Sequence, residues 1–311
     1  MRIASRRTPF GDRLCFAGLV PHRLVDIQGA FVRQLELDGV HRDDALARSR
    51  LVVPGDLPAL LRSDPRLTDV RRLFDRIVAR IDSGVLDDCL WSDDPQRLGV
   101  VVGRPRTMWC MGGNYLRRRL APGEEPPPRH GPGGGLKATG ALAGPYDELR
   151  YPAISEQVDS ETELAVVIGS RSRHLTPDDA MAAVAGYVGF CDVTSRDVAE
   201  LDNRRMDRAK GFDTYGICGP WFVTADEIPD PHALRIRQWV NGETCRDGST
   251  AEMFHTVPEQ LAWLTAALTL APGDVLSTGA PAGQGAVRPG DVVRGEVEGL
   301  GATENRVVPD D

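Results

Sequence analysis

Lysine is nearly absent from this chain of 311 residues. Only Lys137 and Lys210 occur among 37 lysine and arginine residues, so arginine supplies almost all of the positive charge. Under such a bias, a lysine is expected to persist where a compact ammonium with three donors is needed and a planar guanidinium does not fit. We therefore expect both lysines to lie in a functional site.

Other features are also missing, and each absence excludes a class of protein. No apolar run is long enough for a transmembrane helix, and charges interrupt the first 16 residues, which predicts no signal peptide. Six cysteines without a CxxC pair indicate reduced thiols in a cytoplasm rather than a zinc site or a disulfide framework. A net charge of −8 argues against nucleic acid or an anionic membrane as the main partner.

The first hundred residues predict a small α+β domain without visible chemistry, with bounds 1–100. Residues 13–27 contain two short apolar runs around a turn, which predicts a hairpin. Residues 65–82 have apolar side chains at helical spacing, and Ser83 and Gly84 are expected to end that helix.

The remainder, 101–311, is expected to be a second, β-rich domain, which makes the whole chain an α+β protein. Strands are predicted at 98–102, 107–112, 163–168, 219–223, 234–240, 274–278 and 291–297, and helices at 177–186 and 258–269. The Pro/Gly-rich run 121–135 predicts neither helix nor strand. We interpret it as a mobile flap rather than a linker, because β-type segments resume on both sides.

Three acidic residues beside apolar runs indicate a cation site. Glu161 and Glu163 are two residues apart in a predicted strand, so their side chains share one face. Carboxylates about 4 Å apart repel by about 4 kcal/mol at an effective dielectric near 20, so they either stay apart in water or hold a cation. Asp192 follows another apolar run, where it either caps a turn or binds a ligand. Three carboxylates without a nearby histidine suit Mg²⁺ or Mn²⁺.

Eight blocks of this sequence resemble, in the same order, the motifs of the fumarylacetoacetate hydrolase family. They are MWCMGGNY (108–115), KATGALAGP (137–145), VDSETELAVVIG (158–169), GYVGFCDVTSRD (186–197), AKGFDTYGICGP (209–220), NGETCRDGSTAEMF (241–254), LAPGDVLSTGAPAG (270–283) and VRPGDVVRGEVEGLGATEN (287–305). The blocks extend over two thirds of the chain, so the resemblance is specific.

The resemblance implies the C-terminal fold of that family, a mixed β-sandwich roll, in a homodimer. It implies Mg²⁺ or Mn²⁺ bound by Glu161, Glu163 and Asp192, with Lys210 as a catalytic residue beside the metal. It also implies a small substrate, a 2-oxo acid or 1,3-diketo acid that chelates the ion. The residues expected to bind this substrate are Lys137, Arg118, Tyr115, Arg196 and Gly279.

This sequence departs from the family pattern at the residues that activate water. Hydrolytic members typically carry a histidine and, three residues later, a glutamate just after the "NY"; Arg118 and Ala121 stand there. Arginine cannot act as a base at neutral pH. Ala199 stands where a glutamine is usual, and Ala280 where a threonine is usual.

Other residues are conceivable replacements for the missing base. His130, with Glu124 or Glu125, lies in the predicted flap, and His255 lies beside a matching block. Each is alternatively an ordinary surface or packing residue. The arginines at 117–119 either bind a substrate carboxylate or form a solvated basic turn.

The primary functional expectation is metal-dependent hydrolysis of a carbon–carbon bond through a chelated enolate. Because the hydrolytic pair is missing, decarboxylation, isomerisation and dehydration of the same substrate class stay open. A non-catalytic ligand-binding or scaffold homologue is the alternative from a different class, since a fold alone does not fix function. No GxSxG elbow supports a serine hydrolase, and GPGGGLKATG lacks the strand–glycine–helix context of a dinucleotide site.

Overall fold

The computed structural model of the chain describes residues 1–116 and 131–310. Over these residues the strands are β1 (Arg2–Thr8), β2 (Gly11–Val20), β3 (Arg23–Asp26), β4 (Leu90–Ser92), β5 (Met108–Met111), β6 (Gly134–Leu136), β7 (Leu142–Ala143), β8 (Leu149–Pro152), β9 (Val158–Asp159), β10 (Thr162–Ile168), β11 (Val184–Asp192), β12 (Thr194–Ser195), β13 (Gly216–Thr224), β14 (Arg235–Val240), β15 (Glu243–Ser249), β16 (Val275–Ser277), β17 (Ala286–Val287), β18 (Val292–Val297) and β19 (Gly301–Asp310). The α-helices are α1 (Ile27–Leu37), α2 (Arg42–Val52), α3 (Leu57–Ser63), α4 (Thr68–Val78), α5 (Arg196–Leu201), α6 (Met206–Ala209) and α7 (Val257–Ala267).

One large mixed sheet organises the molecule. Its strand order is β4-β3-β2-β1-β13-β11-β10-β16-β5-β6, and β7 pairs with β13 outside this path. A second sheet has the order β15-β14-β18-β19-β8, and a small third sheet has the order β12-β9-β17. The chain is therefore a strand-rich α+β protein, which confirms the expected fold class.

Strand β10 lies at the centre of the large sheet and is buried along its whole length. Ala165 and Val167 pack into one hydrophobic cluster, whereas Leu164, Val166 and Ile168 pack into another on the opposite face. This alternation follows from the two-residue period of a strand. It confirms the predicted side-chain directions, and it fixes the face to which Glu163 points.

The N-terminal segment joins the large sheet through β1. Ile3 lies opposite Phe222 of β13 in an antiparallel register, and both side chains are buried in one cluster with Phe16. Helices α1 to α4 follow, and acidic residues cap three of them, α1, α3 and α4. The Asp26 carboxylate accepts from the N–H of Gly29 at the start of α1, and Asp64 accepts from the first three N–H groups of α4. The domain boundary near residue 100 stays a prediction.

Most of the predicted elements are confirmed. The hairpin at 13–27 is β2 and β3, the helix at 65–82 is the shorter α4, and the helix at 258–269 is α7. Helix α7 begins at a capping box in which the backbone N–H of Thr256 donates to Glu259. Five of the seven predicted strands coincide closely with β5, β10, β14, β16 and β18, and 219–223 lies inside β13.

Three predictions of local structure are wrong. Residues 98–102 are a buried turn segment with a single bridge from Leu98 to Arg6, because their apolar side chains reach the core without strand pairing. Only residues 180–183 of the predicted helix 177–186 are helical, as a 3₁₀ turn; Val184 starts β11, which pairs on both sides. Gly134 and Gly135, at the end of the predicted flap, belong to strand β6.

Over the described ranges, no helix combines the length and apolar content needed to cross a membrane.

The shared core predicts that the N-terminal segment and the large sheet unfold together. Replacing Ile3 with Ala should lower the free energy of unfolding by about 2–5 kcal/mol, because a fully buried side chain leaves a cavity. The exposed Leu51 is the control, and its replacement with Ala should change stability by less than about 0.5 kcal/mol. Urea denaturation followed by circular dichroism and tryptophan fluorescence should give one coincident transition. Two separated transitions, with only one shifted by Ile3→Ala, would show independent domains.

Candidate active site

Three carboxylates converge where strands β10 and β11 meet. One oxygen atom from each of Glu161, Glu163 and Asp192 lies within 4.8 Å of the others. The strands are antiparallel, and the backbone N–H of Asp192 donates to the carbonyl of Glu161. Residues opposite each other in such a pair point to one face, which brings Asp192 to the side that carries the two glutamates.

The side chain of Glu163 is buried, whereas that of Glu161 is partly exposed. The Ser277 hydroxyl and the backbone N–H of Gly279, at the end of β16, both donate to Glu163 Oε2. Burial, followed by the charges of Asp192 and Glu161, raises the pKa of Glu163 to about 8. The side chain therefore needs a cation nearby to ionise fully at neutral pH.

Asp192 is fully buried between the two lysines of the chain. Lys210 Nζ donates to Asp192 Oδ2, and Lys137 Nζ lies 3.0 Å from Oδ1. Burial alone would raise the pKa of Asp192, but Lys210 and Lys137 outweigh it and lower the pKa to about 2. Asp192 is thus ionised at any physiological pH. Its charge in turn raises the pKa of Lys210 above the ordinary value despite burial, so Lys210 stays a cation.

Two arginines flank Glu161. Arg196 donates to Glu161 Oε1 at 2.9 Å and to Asp159 Oδ2 at 2.7 Å. The buried guanidinium of Arg246 lies 3.7 Å from Glu161 Oε1 and donates to the carbonyl of Pro281. Each of the three carboxylates therefore has its own set of donors, which holds like charges together.

Glu161 and Glu163 open onto a cavity of about 710 Å³, whereas Asp192 is fully buried and is not one of its described lining residues. Its wall includes Glu161, Glu163 and Lys210, together with predicted substrate residues Tyr115, Arg196 and Gly279. Cys110 also lines it, and burial raises the pKa of this thiol well above its ordinary value, so the thiol is protonated. The cavity therefore brings together most of the predicted site residues.

Two predicted residues occupy positions other than those expected. Lys137 lies behind Asp192, fully buried, rather than on the cavity wall, because its ammonium is held by backbone carbonyls. His255 is not among the described lining residues; its backbone N–H donates to Asn114 Oδ1, and its carbonyl accepts from Asn114 Nδ2. Arg118, His130, Glu124, Glu125 and the arginines at 117 and 119 lie outside the described residues.

Sequence reasoning missed several cavity residues. Arg246 lies in a matching block but carries no motif signal of its own, and its role depends on burial beside Glu161. Arg204 and Arg205 lie on the turn between α5 and α6 and also line the cavity. Two adjacent arginines in a polar segment look like a solvated turn, so the sequence offers no signal for them.

The donor set fits a hard divalent cation. Carboxylate oxygens are the ligands that Mg²⁺ and Mn²⁺ prefer. Asp192 Oδ1 is buried and forms an ion pair with Lys137 Nζ at 3.0 Å, whereas Oδ2 accepts from Lys210. A carboxylate oxygen has more than one lone pair, so Oδ1 retains acceptor capacity for a cation beside its contact with Lys137.

Comparison with known proteins agrees with the geometry. The family model described as fumarylacetoacetate (FAA) hydrolase C-terminal matches residues 107–308. A mitochondrial oxaloacetate tautomerase of Homo sapiens is 39% identical over 218 residues, which cover 67% of this chain and 68% of that protein.

Solved structures match along the whole chain. Maleylpyruvate hydrolase from Sphingobium sp. SYK-6, in complex with manganese (II) ion and pyruvate, has a TM-score of 0.74 and 27% identity, with complete coverage of both chains. The 5-carboxymethyl-2-hydroxymuconate delta-isomerase from Mycobacterium smegmatis has a TM-score of 0.72 and 25% identity, also with complete coverage. These relatives are enzymes, and this chain belongs to the fumarylacetoacetate hydrolase family of enzymes.

Proposed function

We propose that this enzyme moves a proton at the carbon beside the carbonyl of a small 2-oxo dicarboxylic acid, so that keto and enol forms interconvert. The observation that carries the proposal is the convergence of Glu161, Glu163 and the buried Asp192 beside Lys210, with Glu161, Glu163 and Lys210 on the cavity wall. A relative named oxaloacetate tautomerase, and a structural relative solved with manganese (II) ion and pyruvate, support this substrate class.

The charges around the cavity favour an anionic substrate. Asp159, Glu161, Glu163 and Asp192 are balanced by Lys137, Lys210, Arg196 and Arg246 when all are ionised. A bound divalent cation adds two positive charges to this neutral set. The exposed arginines 204 and 205 add two positive charges at the rim and Asp207 removes one, so the rim contributes a net charge of about +1. A substrate with two carboxylates matches that excess, and the guanidinium fork is suited to the second carboxylate.

Residues of the cavity wall supply hydrogen-bond donors for the substrate. A divalent cation at the three carboxylates, when bound, polarises the carbonyl of a chelating 2-oxo acid. Lys210 is a cation in the cavity wall, and it is positioned to donate a hydrogen bond to the oxygen where negative charge develops. Burial raises the pKa of Tyr115 above its ordinary value, so its hydroxyl is a donor and not a base.

Hydrolysis of a carbon–carbon bond is the second candidate. It is favoured by the maleylpyruvate hydrolase match over both whole chains. We rank it below proton transfer because Arg118 and Ala121 replace the water-activating pair, and because proton transfer alone needs no activated water. His130 and His255 stay the predicted bases; the homodimer and the cytoplasmic location also stay predictions.

The cation site can be tested without a known substrate. Oxalate resembles the enolate of a 2-oxo acid, and Mn²⁺ with oxalate should raise the melting temperature of the protein more than either alone, since ligands stabilise the state they bind. Glu163→Gln should abolish this increase, whereas the exposed Glu148→Gln should retain it. No increase at high Mn²⁺ and oxalate in the unmodified protein would remove the main support for the proposed function.

The proposed reaction can be tested with Lys210→Met and oxaloacetate. We expect a loss of about 10²–10³ in kcat/KM for enol-to-keto conversion, because a preorganised donor to the oxyanion is removed. The conversion is followed by the ultraviolet absorbance of the enol, and the exposed Arg306→Met is the control. Acylpyruvates are then examined by NMR. Cleavage products together with absent tautomerisation would favour hydrolysis instead.

Mn²⁺ binding should strengthen as the pH rises. The pKa of Glu163 is about 8 in the folded protein and has an ordinary value of 4.5. Between pH 4.5 and about 8, Glu163 is protonated in the folded protein and ionised in the unfolded chain, so folding takes up a proton. This group therefore makes the metal-free protein less stable as the pH rises through that range. Mn²⁺ needs the ionised carboxylate, so its affinity should rise up to about pH 8 and then level off. Calorimetry in buffers of different ionisation enthalpy measures the released proton. A constant affinity from about pH 6 to about pH 9 would contradict this.

A further inference from the structure

The side chain of Lys137 is completely enclosed, yet its ammonium has a full set of oxygen partners. Lys137 Nζ donates to the carbonyls of Lys210 at 2.6 Å, Tyr215 at 2.9 Å and Val193 at 3.3 Å. The fourth contact is the ion pair with Asp192 Oδ1. A buried charge is costly unless it is paired and hydrogen-bonded, and this one is both.

The four oxygen atoms come from separate parts of the site. Val193 follows strand β11 and its terminal residue Asp192, Lys210 follows helix α6, and Tyr215 precedes strand β13. One ammonium therefore links the segment that carries a metal carboxylate with the segment that carries the cationic lysine of the cavity wall.

The surroundings favour lysine over arginine at this position. Three carbonyl acceptors around one nitrogen match the three donors of a compact ammonium, whereas the donors of a guanidinium spread over a planar fork. Gly216 adds to this fit, because a Cβ there would lie 3.3 Å from Lys137 Cδ and 2.9 Å from Leu142. This explains why lysine persists in a chain that otherwise uses arginine.

We propose that Lys137 is a positioning residue that fixes the Asp192 carboxylate and the backbone of Lys210 relative to each other. It acts through these two residues and makes no contact with the substrate, in place of the substrate contact expected from the sequence. The proposal rests on the proposed function, because it requires that a divalent cation binds to the three carboxylates.

The chain supplies a matched control, since its two lysines contact the two oxygens of one carboxylate. Lys137→Met and Lys210→Met each remove one positive charge beside Asp192. If charge alone mattered, both variants would bind Mn²⁺ more tightly. We expect Lys210→Met to bind Mn²⁺ as tightly as the unmodified protein or more tightly. We expect Lys137→Met to bind it at least about tenfold more weakly, because Asp192 loses its fixed position.

Mn²⁺ affinity is measured by electron paramagnetic resonance of free Mn²⁺, after circular dichroism has shown that each variant is folded. An affinity of Lys137→Met equal to or above that of the unmodified protein would overturn the proposal, even if its melting temperature were lower. Failure of the unmodified protein to bind Mn²⁺ would instead reject the proposed function. In Lys137→Ala, methylammonium should restore Mn²⁺ binding, whereas equal concentrations of sodium chloride should not.

A measurement on the unmodified protein covers the case in which no variant folds. In a crystal structure with Mn²⁺ and oxalate, Lys137 Nζ should stay within hydrogen-bond distance of Asp192 Oδ1 and the carbonyl of Lys210. An ammonium that turns away to contact oxalate would make Lys137 a substrate ligand and overturn the proposal.

Discussion

Like charges held together inside the protein are the constraint on which the rest of the site depends. Glu161, Glu163 and Asp192 repel one another, and two of them are buried, so each requires compensation from fixed donors. The compensation differs at each carboxylate: arginines at Glu161, a hydroxyl and a backbone N–H at Glu163, and lysines at Asp192. These donors come from five separate stretches of chain. The antiparallel pairing of β10 with β11 and β16 brings the three carboxylates together with Ser277 and Gly279, and the segments that carry the lysines and arginines pack around them.

The sequence predicts the parts of this arrangement that depend on local periodicity. The E-x-E spacing predicts that both glutamates share one face; Glu161 directly precedes β10, Glu163 lies in it, and β10 is buried along its whole length. The scarcity of lysine also directs attention to two residues that contact Asp192. These inferences succeed because strand geometry and residue chemistry act over a few residues.

Other parts depend on contacts that no short segment encodes. The apolar run at 98–102 predicts burial correctly but predicts a strand wrongly, because hydrophobicity does not specify pairing. The sequence predicts a helix at the start of β11. These residues form a strand instead, because pairing with β10 and β13 overrides their local propensity. Lys137 is placed among the substrate ligands by its motif, whereas three carbonyls from distant segments enclose it. Arg246 gains its role only when β15 brings it beside Glu161.

The turn between α5 and α6 has a consequence for how this enzyme can change. Asn203 and Arg204 both adopt positive φ there, and Arg204 and Arg205 are exposed where the turn lines the cavity. Substitutions in exposed turns have small effects on stability, unlike substitutions among the buried carboxylates and lysines. Packing therefore constrains substitutions in the cation-binding half, whereas it leaves the length and charge of the rim free to change. Substitutions that change substrate preference but keep the cation site would then accumulate at the rim.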